Sequence, residues 1–206
     1  MAELRADIEW LENAIARRNA KAERTRESSV VGDRFKGRTF DNFDESAQPK
    51  AYGVCKRFAD RFDTLKGKEK NSIVLMGNCG TGKTHLVASI TNQLCDNGVK
   101  VLYGTYAEHL NRLKQEFGRG GSGSYLEKMQ TTPLLVVDDY GKENDTSWGT
   151  EIWFLVINAR YERMLPTIIT TNMSQREFAE ANGNAVKSRL NEMSVFVEVE
   201  GKDWRQ

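Results

Sequence analysis

Ile73-Val-Leu-Met76-Gly77-Asn78-Cys79-Gly80-Thr81-Gly82-Lys83-Thr84-His85-Leu86 is the stretch on which the fold turns. Four apolar residues stop at a glycine, a glycine-rich turn follows, and Leu86, Ile90 and Leu94 then recur at helical spacing. The order is strand, loop, helix. Gly77 to Thr84 matches G-x-x-x-x-G-K-[ST] in full and stands between the two elements that this phosphate-binding motif requires. The glycines let backbone N–H groups between Gly77 and His85 turn inward around phosphate oxygens, and the helix N-terminus adds its dipole. Lys83 is expected to reach the β and γ phosphates, and the Thr84 hydroxyl to ligate Mg²⁺.

Downstream, Leu134-Leu-Val-Val-Asp138-Asp139 is an apolar strand that ends in two acids. Asp138 is expected to hold the Mg²⁺ shell and Asp139 to orient or deprotonate an attacking water. Many hydrolases of this type carry Glu at the second position, and Asp is one methylene shorter, which predicts slow water activation in an isolated subunit. Thr167-Ile-Ile-Thr-Thr171-Asn172 is a third strand, ending in small polar side chains. In a parallel sheet the C-terminal strand ends face the ligand crevice, so Asn172 or Thr171 is placed to contact the γ-phosphate or the water.

The remaining elements fall into place around these three. Helical spacing marks about Ala51 to Phe62, Trp148 to Arg163 and Ala185 to Glu192, and strands are expected over Val99 to Gly104 and Val195 to Val199. Thr105-Tyr-Ala-Glu108 and Ser174-Gln-Arg-Glu177 have the form of capping boxes that open helices. Strands alternating with helices imply an α/β fold in three layers, a parallel sheet covered on both faces. Gly118 to Ser124 reads as a mobile loop.

In chain order, a phosphate loop, an acidic strand and a polar sensor strand resemble the AAA+ ATPases. The fuller string resembles the DnaC/DnaI type of helicase loader and the related IstB transposition helpers. It is carried by Phe40-Asp-Asn-Phe43, Gly-Thr-Gly-Lys-Thr-His85-Leu86, Leu-Val-Val-Asp-Asp-Tyr140-Gly141 and Ile157-Asn-Ala-Arg160-Tyr161 leading to Leu165-Pro-Thr-Ile-Ile-Thr-Thr-Asn172. The resemblance implies ATP and Mg²⁺ as cofactors, with Lys83, Thr84, Asp138, Asp139 and Asn172 at the nucleotide. It also implies self-association in the ATP state, since Arg189 in Lys187-Ser-Arg-Leu190 looks like an arginine finger acting on a neighbour's ATP, a role that Arg160 could also fill. Arg205 in Asp203-Trp-Arg looks like a second sensor. The partners implied are a DnaB-type replicative helicase and single-stranded DNA, with an IstB-like helper on duplex DNA, or a nucleotide-gated module with little turnover, as alternatives. Only 17 residues follow Arg189, so the helical lid of most AAA+ proteins is expected to be minimal or absent.

A DNA contact needs cations and aromatic faces, and Arg112, Lys114, Phe117, Arg119, Tyr125 and Lys128 supply both between the second strand and the acidic strand. At the other end, Leu4, Ile8, Leu11 and Ile15 form one stripe of a short amphipathic helix, with Trp10 beside it. That stripe suits either this chain's own domain or a partner's groove. Arg17 to Arg38 carries eight basic residues against three acidic ones and reads as a solvated linker. Residues 1–34 are therefore expected to be helix and linker, and 35–206 the ATPase domain.

Composition sets the outer bounds. With 206 residues, 39% apolar and 29% charged, the chain is sized for one globular domain. No apolar run approaches membrane-spanning length, so no membrane association is expected. Cys55, Cys79 and Cys95 have neither disulfide-framework nor zinc spacing, which fits a reducing cytoplasm. A net charge of +1 means that affinity for nucleic acid has to come from a local patch.

Overall fold

The computed structural model describes residues 2–28, 32–141, 147–201 and 203–204. Five strands, β1 (Ser72–Met76), β2 (Val101–Thr105), β3 (Leu134–Tyr140), β4 (Thr167–Thr171) and β5 (Ser194–Glu198), form one sheet in the order β2-β3-β4-β1-β5. Every pairing is parallel. β1 and β4 are buried along their whole length, as continuous apolar runs in a parallel sheet require.

The pleat sends alternate residues to opposite faces. Ile73, Leu75, Val136 and Ile168 pack with α2 (Pro49–Asp60) and α4 (Lys83–Asp96). Val74, Met76, Val137 and Ile169 pack with α5 (Tyr106–Gly118), α7 (Ser147–Glu162), α8 (Gln175–Ala181) and α9 (Gly183–Met193). Both capping boxes form: Thr105 and Glu108 close one reciprocally at the start of α5, and Ser174 and Glu177 the other at the start of α8. A short α3 (Phe62–Leu65) follows α2. Among the described residues no helix follows β5.

Two segments differ from their sequence reading. The first helix, α1, runs over Ala2–Ser28 and so takes in much of the basic stretch read as linker. Polarity misled there: Ala, Arg, Lys and Glu are strong helix formers, and no glycine or proline interrupts them before Gly32. Its C-terminal part rests on the domain through buried Ala22 and Thr25, and the Lys21 stem packs on Gly98 just after α4. The second is α6 (Ser124–Thr131), which begins at the last residue of the glycine tract. The Glu116 carboxylate fastens that tract by accepting from the Ser124 N–H at 2.8 Å, the Ser124 hydroxyl at 2.7 Å and the Tyr125 N–H at 3.0 Å. These bonds, the Ser124 hydroxyl first, hold the Glu116 carboxyl below its ordinary range.

Candidate nucleotide site

The phosphate loop hangs between β1 and α4 at the C-terminal edge of the sheet. Its entry is fixed by the Gly77 N–H donating to the Thr171 carbonyl at 3.2 Å, while the Val199 N–H donates to the Met76 carbonyl at 2.7 Å. Gly77 has φ 147°, and a Cβ there would collide with the Val199 carbonyl oxygen. Gly82 caps α4 at φ 101°, where a Cβ would lie 2.9 Å from the Phe43 ring. Both positions thus exclude side chains by conformation and by space. Lys83 is only 7% exposed, and its ammonium donates to the Gly77 carbonyl at 2.6 Å, the Asn78 carbonyl at 2.7 Å and Asn172 Oδ1 at 2.9 Å. A phosphate oxygen is a stronger acceptor than any of these neutral oxygens.

The two acids sit on a bulge. Val137 pairs with Ile169 and Tyr140 with Thr171, so Asp138 and Asp139 together oppose Thr170, and Asp139 takes up φ 54°. Asp138 is 4% exposed and lies on the α4 side of the sheet. Its Oδ1 accepts from the Thr84 hydroxyl at 3.3 Å and, more closely, from the Thr170 hydroxyl; its Oδ2 accepts from the Tyr103 phenol at 2.7 Å. Burial, and after it the Asp138 charge, pushes the Tyr103 phenol up, so it stays a donor. Asp139 points outward, and its Oδ1 accepts from Asn172 Nδ2 at 3.0 Å. Asn172 therefore stands between Lys83 and Asp139, offering oxygen to one and N–H to the other. Thr84 Oγ1 beside the Asp138 carboxylate is a set of hard oxygen donors suited to Mg²⁺, which takes one or two carboxylates and completes its shell with water and phosphate. Bound there, the ion would neutralise charge on the phosphates.

A crevice of about 590 Å³ runs from these groups to a wall of Phe35, Arg38, Asn42, Phe43 and Trp204. His85 ties the wall to α4: its Nε2 lies 3.1 Å from the Thr39 carbonyl and 2.9 Å from Asn42 Oδ1, and its ring meets Phe43 edge-on at 5.1 Å. Burial lowers the His85 pKa. The Trp204 N–H donates to the Gly80 carbonyl at 3.1 Å, which lays the end of the described chain across the loop.

This crevice, between a phosphate loop on β1 and acids on β3, has counterparts in known proteins. Residues 9–206 match the family model described as IstB-like ATP binding protein. The chain belongs to the IstB-like ATP-binding family. The triphosphate expected from the loop is accordingly ATP. An uncharacterized protein YqaM of Bacillus subtilis is 30% identical over 186 residues, 85% of this chain and 58% of that protein. The replicative helicase loader DnaC of Escherichia coli is 27% identical over 177 residues, 84% of this chain and 71% of the loader. The chain thus spans little more than half the length of YqaM. A crystal structure of the DnaC helicase loader superposes with a TM-score of 0.73 at 26% identity, covering 82% of this chain and all of that one, so the fold is that of the AAA+ P-loop domains.

Other residues singled out in the sequence are distributed unevenly over this IstB-like fold. Lys83, Thr84, Asp138, Asp139 and Asn172 converge. Thr171 does not: it is fully buried, and its hydroxyl donates to the Tyr140 carbonyl at 2.7 Å, because the pleat turns it away from the face that Thr170 shares with Asp138. Arg160 is also fully buried and donates to four neutral oxygens, those of Thr167 Oγ1, Met129, Thr132 and Pro166. That removes it from the subunit edge. Arg189 lies on α9, outside the crevice, with its guanidinium 5.5 Å from the Phe154 ring centre and 5.7 Å from that of Tyr161. Arg205 lies outside the described residues.

In the expected DNA patch, Arg112 covers the Tyr125 ring and Lys114 covers Trp148, while Tyr125 is held through its hydroxyl to His109 at 2.8 Å. Phe117 is 42% exposed. On α1, Ile8, Trp10, Leu11 and Ile15 are 48–70% exposed, so this described part of the stripe does not pack on this chain's own domain; the Leu4 side chain lies outside the described residues. No helix among the described residues is long and apolar enough to cross a membrane. The sequence reading missed Tyr103 and Thr170. The one available signal was the pairing of polar hydroxyls with otherwise apolar strand positions.

Proposed function

We propose that this chain is a Mg²⁺-dependent ATPase that assists the placing of a DnaB-type replicative helicase on single-stranded DNA. One observation carries the reading: a nucleotide crevice and an apolar helix stripe exposed at Ile8, Leu11 and Ile15 occur on one chain. Lys83 binds the β and γ phosphates, Thr84 and Asp138 hold Mg²⁺, Asp139 activates water, and Asn172 reports on the γ-phosphate. The stripe of α1 lies in a groove of the helicase, residues 1–34 thus forming the docking segment of an ATPase domain over 35–206. Arg189 acts in trans on a neighbouring subunit's ATP, assembling the active site only in the ATP-bound oligomer. Arg205 acts as second sensor. The similarity to the E. coli loader supports the partner, and the basic and aromatic side chains around α5 and α6 support the DNA.

The test is turnover measured against protein concentration, with and without helicase and single-stranded DNA. The expected result is a rate per subunit that climbs with concentration and with partner, and that Arg189→Ala returns to the level of a lone subunit. Absence of helicase co-purification, together with a preference for duplex over single strands, would replace the loader by a transposition helper. Normal function in Asp139→Asn with none in Lys83→Ala would instead make ATP a conformational ligand.

A further inference from the structure

Asp138 is gripped from both neighbouring directions in the sheet by hydroxyls that belong to neither nucleotide motif. Tyr103 reaches it from β2 and Thr170 from β4. Both lie on the α4 face because the pleat is in phase there: Tyr103 pairs with Val136, two residues before Asp138, and Thr170 stands opposite the bulge. Tyr103 sits in the apolar cluster with Ile73, Leu75 and Val136, where a phenylalanine would fill the same space. Its hydroxyl has Asp138 as its partner, so the polar atom is explained by the carboxylate and not by packing. Thr170 does more than donate. The Asp139 N–H donates to the same Thr170 oxygen at 2.9 Å, so one hydroxyl sets both the carboxylate of Asp138 and the backbone turn at Asp139.

We propose that Tyr103 is a positioning residue for the metal-holding carboxylate of Asp138, with Thr170 as its counterpart on the opposite strand. This rests on the assignment of Asp138 to the Mg²⁺ shell. An aspartate held by one donor can swing about its terminal torsion, which is broad and roughly two-fold. Held at Oδ2 by Tyr103 and at Oδ1 by Thr170, it keeps a single plane, and the remaining lone pair of Oδ1 is turned to Thr84. Mg²⁺ demands near-ideal octahedral geometry and tolerates little displacement of its donors, so orientation converts directly into metal affinity. Tyr103 touches neither nucleotide nor metal and acts only through Asp138.

The experiment is a Mg²⁺ titration of fluorescent ATP-analogue binding to the whole chain, with a parallel measurement in EDTA. Tyr103→Phe and Thr170→Val are each expected to raise the Mg²⁺ concentration at half-saturation roughly tenfold, while Thr170→Ser stays within about twofold of the parent and metal-free binding is unchanged. A purely structural role would shift thermal unfolding and metal-free binding and leave the Mg²⁺ midpoint in place. Parent-like midpoints in both Tyr103→Phe and Thr170→Val overturn the proposal. Should Tyr103→Phe not fold, the contrast between Thr170→Val and Thr170→Ser decides alone. If the parent protein binds ATP without any response to Mg²⁺, the assignment of Asp138 to the metal falls, and the proposal with it.

Discussion

The nucleotide crevice and the first half of α1 are opposites in how their side chains are partnered. In the crevice Lys83 donates to Asn172, Asn172 to Asp139, and Tyr103 and Thr170 to Asp138, so each polar group has its complement within the chain. On α1 the apolar residues Ile8, Trp10, Leu11 and Ile15 are 48–70% exposed. The crevice is preorganised for a small charged ligand, which needs only to displace bonds already in place. Among the described side chains that stripe is exposed, so the first half of the helix rests on intrinsic propensity and on the anchor at Ala22 and Thr25.

The contrast is broken most forcefully in the scaffold. Arg160 bridges α6, α7 and the start of β4 through four neutral oxygens, and burial lowers its pKa to about 9. Arg160→Ala strands those acceptors and leaves a cavity, and a loss of about 3 kcal/mol or more is expected in urea unfolding. Arg160→Met fills the volume and removes the desolvated charge, so its loss should be smaller. Equal losses in the two variants would show that hydrogen bonding, not packing, is what Arg160 contributes.

Next in size is Lys83→Ala. Removing the ammonium takes one charge-assisted contact from the phosphates, and ATP affinity is expected to fall on the order of 100-fold, about 2.7 kcal/mol. Thermal stability in the absence of nucleotide should change far less, because the Lys83 ammonium donates to neutral acceptors, the Gly77 and Asn78 carbonyls and Asn172 Oδ1. Calorimetric titration with ATP measures the first and a melting curve the second.

These residues also mark where sequence reasoning reached and where it stopped. Lys83, Thr84, Asp138, Asp139 and Asn172 were legible because each closes an element whose period is local, and a parallel sheet brings its C-terminal strand ends together. Thr170 and Thr171 were not distinguishable in advance, since the bulge at Asp138 and Asp139 decides which hydroxyl meets the carboxylate. Tyr103 needed the pairing of β2 with β3, which no single stretch of sequence states. Arg160 was misjudged for a similar reason: a basic residue near the end of a helix looks like an edge residue until the layer that buries it, here Met129 and Thr132, is known.

Acid should separate the two regions as well. His109 lies beneath the pairing of β2 with β3, its Nε2 2.9 Å from the Val136 carbonyl and its Nδ1 2.8 Å from the Tyr125 hydroxyl, and burial pulls its pKa down to about 4. Arg112 nearby lowers the pKa further while the Val136 carbonyl and Glu108 oppose the shift. The unfolded chain takes up this proton near pH 6.5 and the folded chain only near pH 4, so the stabilisation is whole above pH 6.5 and drains away as the pH falls between those values. By pH 4.5 the loss attributable to His109 is roughly 2.5 kcal/mol. His109→Gln should flatten that part of a plot of melting temperature against pH, and an unaltered slope would assign the acid sensitivity to other groups.

The smallest effect on stability, and the most informative for function, belongs to α1. Replacing Ile8, Leu11 and Ile15 together by Ser alters side chains that are already half in water, so domain stability should change by no more than about 0.5 kcal/mol per site. ATP affinity should be unaltered, since none of the three lines the crevice. Helicase co-purification, by contrast, should be lost, because a helix laid in a groove draws its affinity from apolar anchors at this spacing. Serine also lowers helix propensity, so the triple Ala variant is the better control: it removes the anchors while favouring the helix. Loss of binding in both variants locates the partner on the stripe. Loss in the Ser variant with retention in the Ala variant would mean that the partner needs the helix and not its apolar face, and the two regions would then differ less in kind than their exposures indicate.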